Sequence, residues 1–373
     1  MTCSVESKEI EEIRTSNILP QTPFWARVKN EHGFLPSGFQ LTVSKDLLQP
    51  DCRESKKVQD DLLILIRYLD KRQCYAYVPY GPKIEPDFEN QGVFLEELSE
   101  VIRPHLPGHC IFIRYDLLWK NQWAEEQDFY DSSGNWAGPP PELTQEFRLN
   151  YNTHQWKLQK SPGDILPKNT FFLDLKKKES DLLGSMRFNT RYNIRRALRR
   201  GVTVKEAGME GIDAWYNLYR ETALRHDMTI QDKDYFATLL TNQDNSPNHG
   251  VTVKLMMAGH EGQQLASLFL VMSEKRGTYL YGASTLKKKH LMASYALQWE
   301  AIREARRSGC EEYDMFGCAP NLDKSHPLYG VHLFKKGFGG RIYHRMGCWD
   351  YPFQMEEYSI FRAREMNNLA ALS

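Results

Sequence analysis

The sequence predicts an α+β fold with mostly antiparallel mixed sheets, arranged as two tandem blocks. Three observations carry this. Short β-branched and aromatic runs closed by turn residues mark strands, such as D-L-L-I-L-I-R-Y at Asp61 to Tyr68. Segments with apolar residues three and four apart mark helices between them. A chain of 373 residues fits two or three domains, and 41% hydrophobic residues suffice for ordinary cores.

Taken in order, Phe24 to Lys29 reads as a short helix with an aromatic anchor. Asp61 to Tyr68 is a buried strand, and Cys74 to Tyr80 is another, with Gly81-Pro82 as its turn. Val93 to Ile102 has helical spacing; Cys110 to Tyr115 is a third strand, closed by Asp116. The polar and aromatic stretch from Trp119 to Pro167 reads as an excursion between domains, with Leu149 to Lys157 open to a strand reading. Thr170 to Leu175 opens the second block. One helix is expected from Ser180 to Arg200, a strand at Val202 to Glu206, and helices at Gly211 to Arg225 and Asp232 to Leu240. Three consecutive antiparallel strands follow, at Val251 to Met257, Gln264 to Met272 and Thr278 to Ala283. A helix at Ala293 to Ser308 and a strand at Glu312 to Phe316 complete the block.

Formal net charge is +0, so no global field draws the chain to nucleic acid or membrane, and any polyanion site is local. No apolar run reaches the roughly 20 residues of a membrane span, and Met1 to Arg14 has no signal-peptide core. Seven scattered cysteines without a CxxC pair argue against a zinc ribbon and fit reduced thiols in a cytoplasmic protein.

The block from Thr170 has the element order of an acetyl-CoA-type N-acyltransferase. There a glycine-rich loop donates backbone N–H groups to the coenzyme pyrophosphate. Here the corresponding loop, Leu286 to Met292, contains no glycine. Backbone cannot approach a pyrophosphate closely through such side chains, which points to a different acyl donor. An acetyl-CoA enzyme and a non-catalytic tRNA-binding module stay as alternatives.

Seven segments in order, T-P-F-W-A-R-V-K, R-Y-N-I-R-R-A-L-R-R-G-V, L-Y-R-E-T-A-L-R-H, Y-L-Y-G-A-S, A-S-Y-A-L-Q-W-E-A-I, Y-D-M-F-G and F-K-K-G-F-G, span nearly the whole chain. Through them the chain resembles the FemABX family of peptidoglycan aminoacyltransferases, in its compact form without a coiled-coil arm. The resemblance implies two tandem acetyltransferase-like (GNAT-like) domains, here residues 1–160 and 161–341, with a tail, 342–373, returning to the first. It implies transfer of an amino acid from aminoacyl-tRNA to the stem-peptide amine of a peptidoglycan precursor, either lipid II or UDP-MurNAc-pentapeptide. Use of lipid II would bring the protein transiently to the inner membrane face. Because the ester is already activated, the reaction calls for no cofactor or metal.

The resemblance also suggests site residues. Lys335, beside Phe334, matches a lysine placed near the tRNA end, for oxyanion or terminus stabilisation; the residues alone allow a snorkelling lysine on a strand edge. Asp116 matches a carboxylate proposed as general base, with a turn or N-cap role as the alternative. Lys29 matches a lysine on the precursor diphosphate, or is a surface lysine of an amphipathic helix. Tyr235 and Tyr281 match aromatics of the acceptor cleft, or are half-buried packing. Gln231 stands where the soluble-precursor relative has a phosphate-binding arginine. From Lys176 to Lys205 there are ten basic and two acidic residues. Arg187, Arg191, Arg195 and Arg199 recur every four, a row whose mutual repulsion tRNA phosphates would relieve. Pairing with acids elsewhere in the chain would relieve it too.

Overall fold

The computed structural model describes residues 2–49, 57–132, 134–226, 228–243 and 250–372. Contacts divide the chain into two compact units. One comprises Met1–Arg14, Pro20–Lys168 and His344–Ser373; the other comprises Thr15–Leu19 and Asn169–Tyr343.

The first unit opens with β1 (Cys3–Lys8), α1 (Pro23–Glu31), β2 (Phe34–Ser44), α2 (Lys45–Leu48), β3 (Lys57–Tyr68) and β4 (Cys74–Val78). α3 (Gln91–Ile102), β5 (Cys110–Lys120), α4 (Glu142–Asn150) and β6 (Gln159–Lys160) follow. α1 starts where Thr22 accepts a hydrogen bond from the Trp25 N–H and Pro23 supplies the first turn. The second unit contains β7 (Asn169–Asp174), α5 (Glu179–Ser185), α6 (Phe188–Arg199), β8 (Thr203–Ala207), α7 (Ile212–Arg225) and α8 (Lys233–Thr241). It continues with β9 (Val251–His260), β10 (Gln263–Ser273), β11 (Arg276–Ser284), α9 (Ala293–Arg307), β12 (Glu312–Asp314) and α10 (Tyr329–Gly337). β13 (Arg341–Pro352) and α11 (Met355–Leu372) end the described chain.

The fold is α+β, and the two units share a device. In the first, β1 to β4 are antiparallel neighbours, β4 and β5 are parallel, and β13 adds antiparallel to β5. In the second, β7 pairs antiparallel with β12, β12 runs parallel to β11, and β10, β9 and β8 continue antiparallel. Parallel neighbours need a crossover. Here α3 bridges β4 to β5 and α9 bridges β11 to β12, as the tandem acetyltransferase-like expectation requires. Each unit has its own core. One gathers Leu62, Ile64, Phe94, Trp119 and Trp349; the other gathers Leu268, Leu270, Trp299, Ile302 and Phe338.

Several expectations are corrected. Trp119 to Pro167 is no free excursion: it carries the end of β5, α4 and β6 within the first unit. Leu149 to Lys157 is not a strand. α4 runs to Asn150, whose side chain bonds both the Leu158 N–H and its carbonyl (3.1 and 2.7 Å). Glu96 accepts the His154 and Gln155 N–H groups at 2.7 Å, so side chains close the backbone that a sheet would have closed. The single helix from Ser180 to Arg200 is two. Met186 and Arg187 are extended between α5 and α6, Met186 enters the core, and the Arg187 N–H donates to the Gly337 carbonyl at 2.9 Å. Asp116 lies within β5, opposite Cys348, rather than at a strand end. The six described cysteines are free thiols; Cys52 lies outside the described residues.

Candidate functional site

In the second unit the site is built around Lys335. The segment Phe334 to Gly337 is helical, the last turn of α10, and not the strand edge allowed by the sequence. Lys335 lies three residues after the buried His332 on the inward side of α10, leaving it 5% exposed. Its ammonium donates to the carbonyls of Gly317 (2.7 Å) and Phe316 (3.2 Å) and stands 4.9 Å above the Tyr279 ring centre. Two of the three N–H donors of the ammonium are given to these carbonyls, and the Tyr279 ring faces it. Burial pulls its pKa down to about 8, against the opposing pull of Cys318 and Asp314. The carbonyls are aimed by a strained turn: Phe316 is left-handed at φ 58°, and Asp314 accepts the Phe316 N–H at 2.8 Å. Phe334 points elsewhere. It packs edge-on to Tyr295 and Phe338, each at 5.1 Å.

Tyr279 packs beside Lys335 against the core of the second unit. Its hydroxyl lies so close to Gly282 that a Cβ there would stand 1.8 Å from it. One residue back, Tyr281 donates to the Tyr235 hydroxyl at 3.1 Å, the two rings crossing at 88°. Burial raises both hydroxyl pKa values, that of Tyr281 to about 12, so both stay protonated as hydrogen-bonding groups. Gln231 is exposed just ahead of α8, and its N–H donates to the Tyr219 hydroxyl at 3.2 Å. The structure therefore pairs Lys335 with Tyr279 and, separately, Tyr281 with Tyr235; across the bulge in β11, Tyr279 packs with Leu270 and Tyr281 with Phe236 and Phe269. Tyr279 was missed in the sequence because Y-L-Y reads as ordinary strand alternation.

The arginine row is corrected in one member. Arg187 precedes α6 with extended backbone, while Arg191, Arg195 and Arg199 lie along the helix. The glycine-free loop turns through left-handed Lys288 and Met292 (φ 48° and 59°), and Lys288 bonds Glu261 at 3.1 Å.

In the first unit, Asp116 is wholly buried. It accepts from the Tyr77 hydroxyl and the Leu166 N–H, each at 2.9 Å. Burial raises its pKa to about 6, with Asp164 adding and these two donors opposing. Lys29, in the last turn of α1, stands 4.8 Å from the Trp25 ring centre and 5.9 Å from that of Phe34. The Arg67 guanidinium covers Phe34 at 4.9 Å. Burial, then Arg67, pull Lys29 down to about 8. Arg67, at the end of an apolar strand run, gave no sequence signal.

A sequence model of the FemAB family matches residues 11–258 and 248–365. The chain belongs to the FemAB family. The lipid II:glycine glycyltransferase of Staphylococcus saprophyticus is 23% identical over 269 residues, and that of Staphylococcus aureus is 22% identical over 274. Both alignments cover 57% of this chain and 65% of the relative, so the chain spans about two thirds of these curated relatives' length. The crystal structure of FemX superposes with a TM-score of 0.70, covering 96% of this chain and 100% of its own, at 17% identity. That likeness establishes the fold. Among the described residues, no helix of this FemAB-family chain is long and apolar enough to cross a membrane.

Proposed function

We propose that this chain transfers an amino acid from aminoacyl-tRNA to a side-chain amine of a peptidoglycan precursor, working at the cytoplasmic face of the membrane. The acceptor amine attacks the ester carbonyl. A C–N bond forms, the ester C–O bond breaks, and the amine's proton passes to the departing ribose oxygen. No covalent enzyme intermediate is needed. The observation that carries the reading is Lys335: a buried cation held by two carbonyls suits an oxyanion or the ribose terminus. Tyr235 and Tyr281 line the acceptor side. Asp116, with a pKa near 6, is kept as the base candidate; Phe334, packed on Tyr295 and Phe338, is left without a direct role.

Lys29, with Arg67 beside it, is assigned to the precursor's diphosphate. Two cations sharing one ring repel each other, and a phosphate pair relieves that repulsion. The relatives are lipid II enzymes by name, and Gln231 lacks the charge of a phosphate arginine; both favour the lipid-linked acceptor. The test is incubation with a mixture of charged tRNAs and both precursor forms, then mass spectrometry of the precursor. The expected result is an added aminoacyl residue. No mass gain from any charged tRNA, or a gain supplied by acetyl-CoA, overturns the proposal.

A further inference from the structure

α6 presents a face left exposed among the described residues. Phe188, Tyr192 and Leu198 are 72, 46 and 53% exposed. With Arg191, Arg195 and Arg199 they line one open groove of about 580 Å³. At 100° per residue these six side chains fall within about 120° of the helix circumference, while Thr190, Ile194 and Ala197 bury the opposite side. Rings and guanidinium groups therefore alternate within one stripe.

Among the described residues, none of Arg187, Arg191, Arg195, Arg196, Arg199 and Arg200 makes an ion pair. Arg191 bonds the carbonyls of Met186 and Gly184, and Arg200 that of His290 (3.2 Å). Pairing with acids among the described residues is thus not how the row is relieved. Next to its N-terminal end lies Lys336, whose pKa burial and then Arg187 pull down, so the positive field continues towards Lys335. A close helix contact fixes this arrangement: a Cβ at Gly337 would stand 2.4 Å from the Thr190 hydroxyl.

We infer that this face binds an unpaired nucleic-acid strand, with Phe188 and Tyr192 stacking on bases while Arg191, Arg195 and Arg199 follow the phosphates. Charge selects a polyanion. The exposed rings select a strand whose bases are free, because a duplex offers no base faces to stack on. Steps of four residues advance about 6 Å along a helix, so successive arginines can meet successive phosphates. A membrane surface fits less well. Helices that lie on lipid segregate their basic residues from the apolar face, whereas here the two are interleaved. The inference rests on the proposed function only in naming the source of the strand, the unpaired 3′ end of tRNA.

The test is fluorescence anisotropy with a short labelled single-stranded RNA, the same sequence as a duplex, and phosphatidylglycerol vesicles as competitor. Wild type is expected to prefer the single strand. Phe188→Ala and Tyr192→Ala should each weaken binding roughly 5- to 150-fold without changing the salt slope. Arg195→Ala and Arg199→Ala should each flatten the slope of log K against log salt by about 0.7. All four side chains are exposed, and far-UV circular dichroism verifies that the variants stay folded. Equal affinity for duplex, or aromatic variants that bind as wild type, overturns the inference. So do vesicles captured through the same residues while RNA binding is unaffected. The two readings separate cleanly. Single-strand binding without aminoacyl transfer sinks the proposed function alone. Transfer with an unchanged KM for charged tRNA in Phe188→Ala sinks this inference alone.

Discussion

Replacing Lys335 by Met removes the charge while keeping the apolar stem, and the structure sets the size of two effects. The first is on rate. Loss of one preorganised cation at a developing oxyanion costs roughly 3 kcal/mol, or about a hundredfold in kcat. With a pKa of about 8, the side chain is about nine-tenths charged at pH 7 and one-tenth at pH 9. Single-turnover rates of wild type should therefore fall through a limb centred near pH 8, and Lys335→Met should lack that limb. The second effect is on stability. The folded pKa lies below the ordinary value of 10.5, so the charged form is disfavoured by folding. That penalty is fully present below pH 8 and fades as pH rises towards 10.5. It amounts to roughly 3 kcal/mol. Met abolishes it but leaves the Phe316 and Gly317 carbonyls without their donor, at about 1 kcal/mol or more each. Urea denaturation at pH 7 should thus show Lys335→Met no less stable than wild type, while its transfer rate collapses. A wild-type single-turnover rate in Lys335→Met, or an unchanged high-pH limb, would refute the reasoning.

The other expectations are briefer. Arg67→Ala should move the Lys29 titration midpoint upward from about 8, read by NMR of the labelled ammonium, and should raise the KM for precursor; an unmoved midpoint removes Arg67 from the site. Gln231→Arg should improve use of UDP-MurNAc-pentapeptide roughly ten- to a hundredfold, the worth of a charge-assisted contact, with lipid II use little changed; direct competition between the two precursors measures it, and no gain assigns the clamp to another residue. Arg114 is buried and holds Asp350 at 2.7 and 2.8 Å and Glu365 at the same two distances. Arg114→Met strands these carboxylates and should cost about 3 to 5 kcal/mol in urea denaturation of the full chain; a loss under about 1 kcal/mol would show the network to be dispensable.

What the sequence made legible follows from what each segment asks of its own residues. Asp61 to Tyr68 and Gln264 to Met272 are apolar enough to be read as strands without help. β13 is not. It buries His344, Arg345 and Asp350, and charged residues in a run argue against a core strand unless their partners are known. Arg114, 236 residues away in sequence from Asp350, is the partner. α4 and the turn after it hide for the same reason: Glu96 and Asn150 supply side-chain oxygens in place of backbone ones. The break at Met186 could not be foreseen either. An unbroken basic helix has the better local propensity, and only the core pocket for Met186 and the bond from Arg187 to Gly337 overrule it. In the site, Lys335 could be picked out because lysine among Phe and Gly is chemically odd. Tyr279 and Arg67 could not, since each is ordinary in its own strand and acquires meaning from its neighbour.

The surroundings of Lys335 bear on whether its burial is a matter of packing. A methionine would fill that volume with no charge to desolvate. Keeping lysine instead costs roughly 3 kcal/mol at neutral pH. The turn that serves it adds to this, because a non-glycine residue in the left-handed region costs about 1 kcal/mol or more, and Phe316 is such a residue. Asp314 is committed to holding that turn, accepting from the Phe316 N–H and from the Thr170 hydroxyl. These arrangements converge on one ammonium and make the unit less stable than a simpler sequence would. A purely structural account leaves that expense without a return. Under the proposed function, a cation fixed in place before the substrate arrives, mostly charged at pH 7 and half charged near pH 8, would supply that return as transition-state stabilisation. The same logic covers Lys29, which burial and a neighbouring guanidinium drive to the same range. Under the proposed function, substrate anions reaching Lys335 and Lys29 would raise both values again towards the ordinary range, which NMR titration with and without precursor would read.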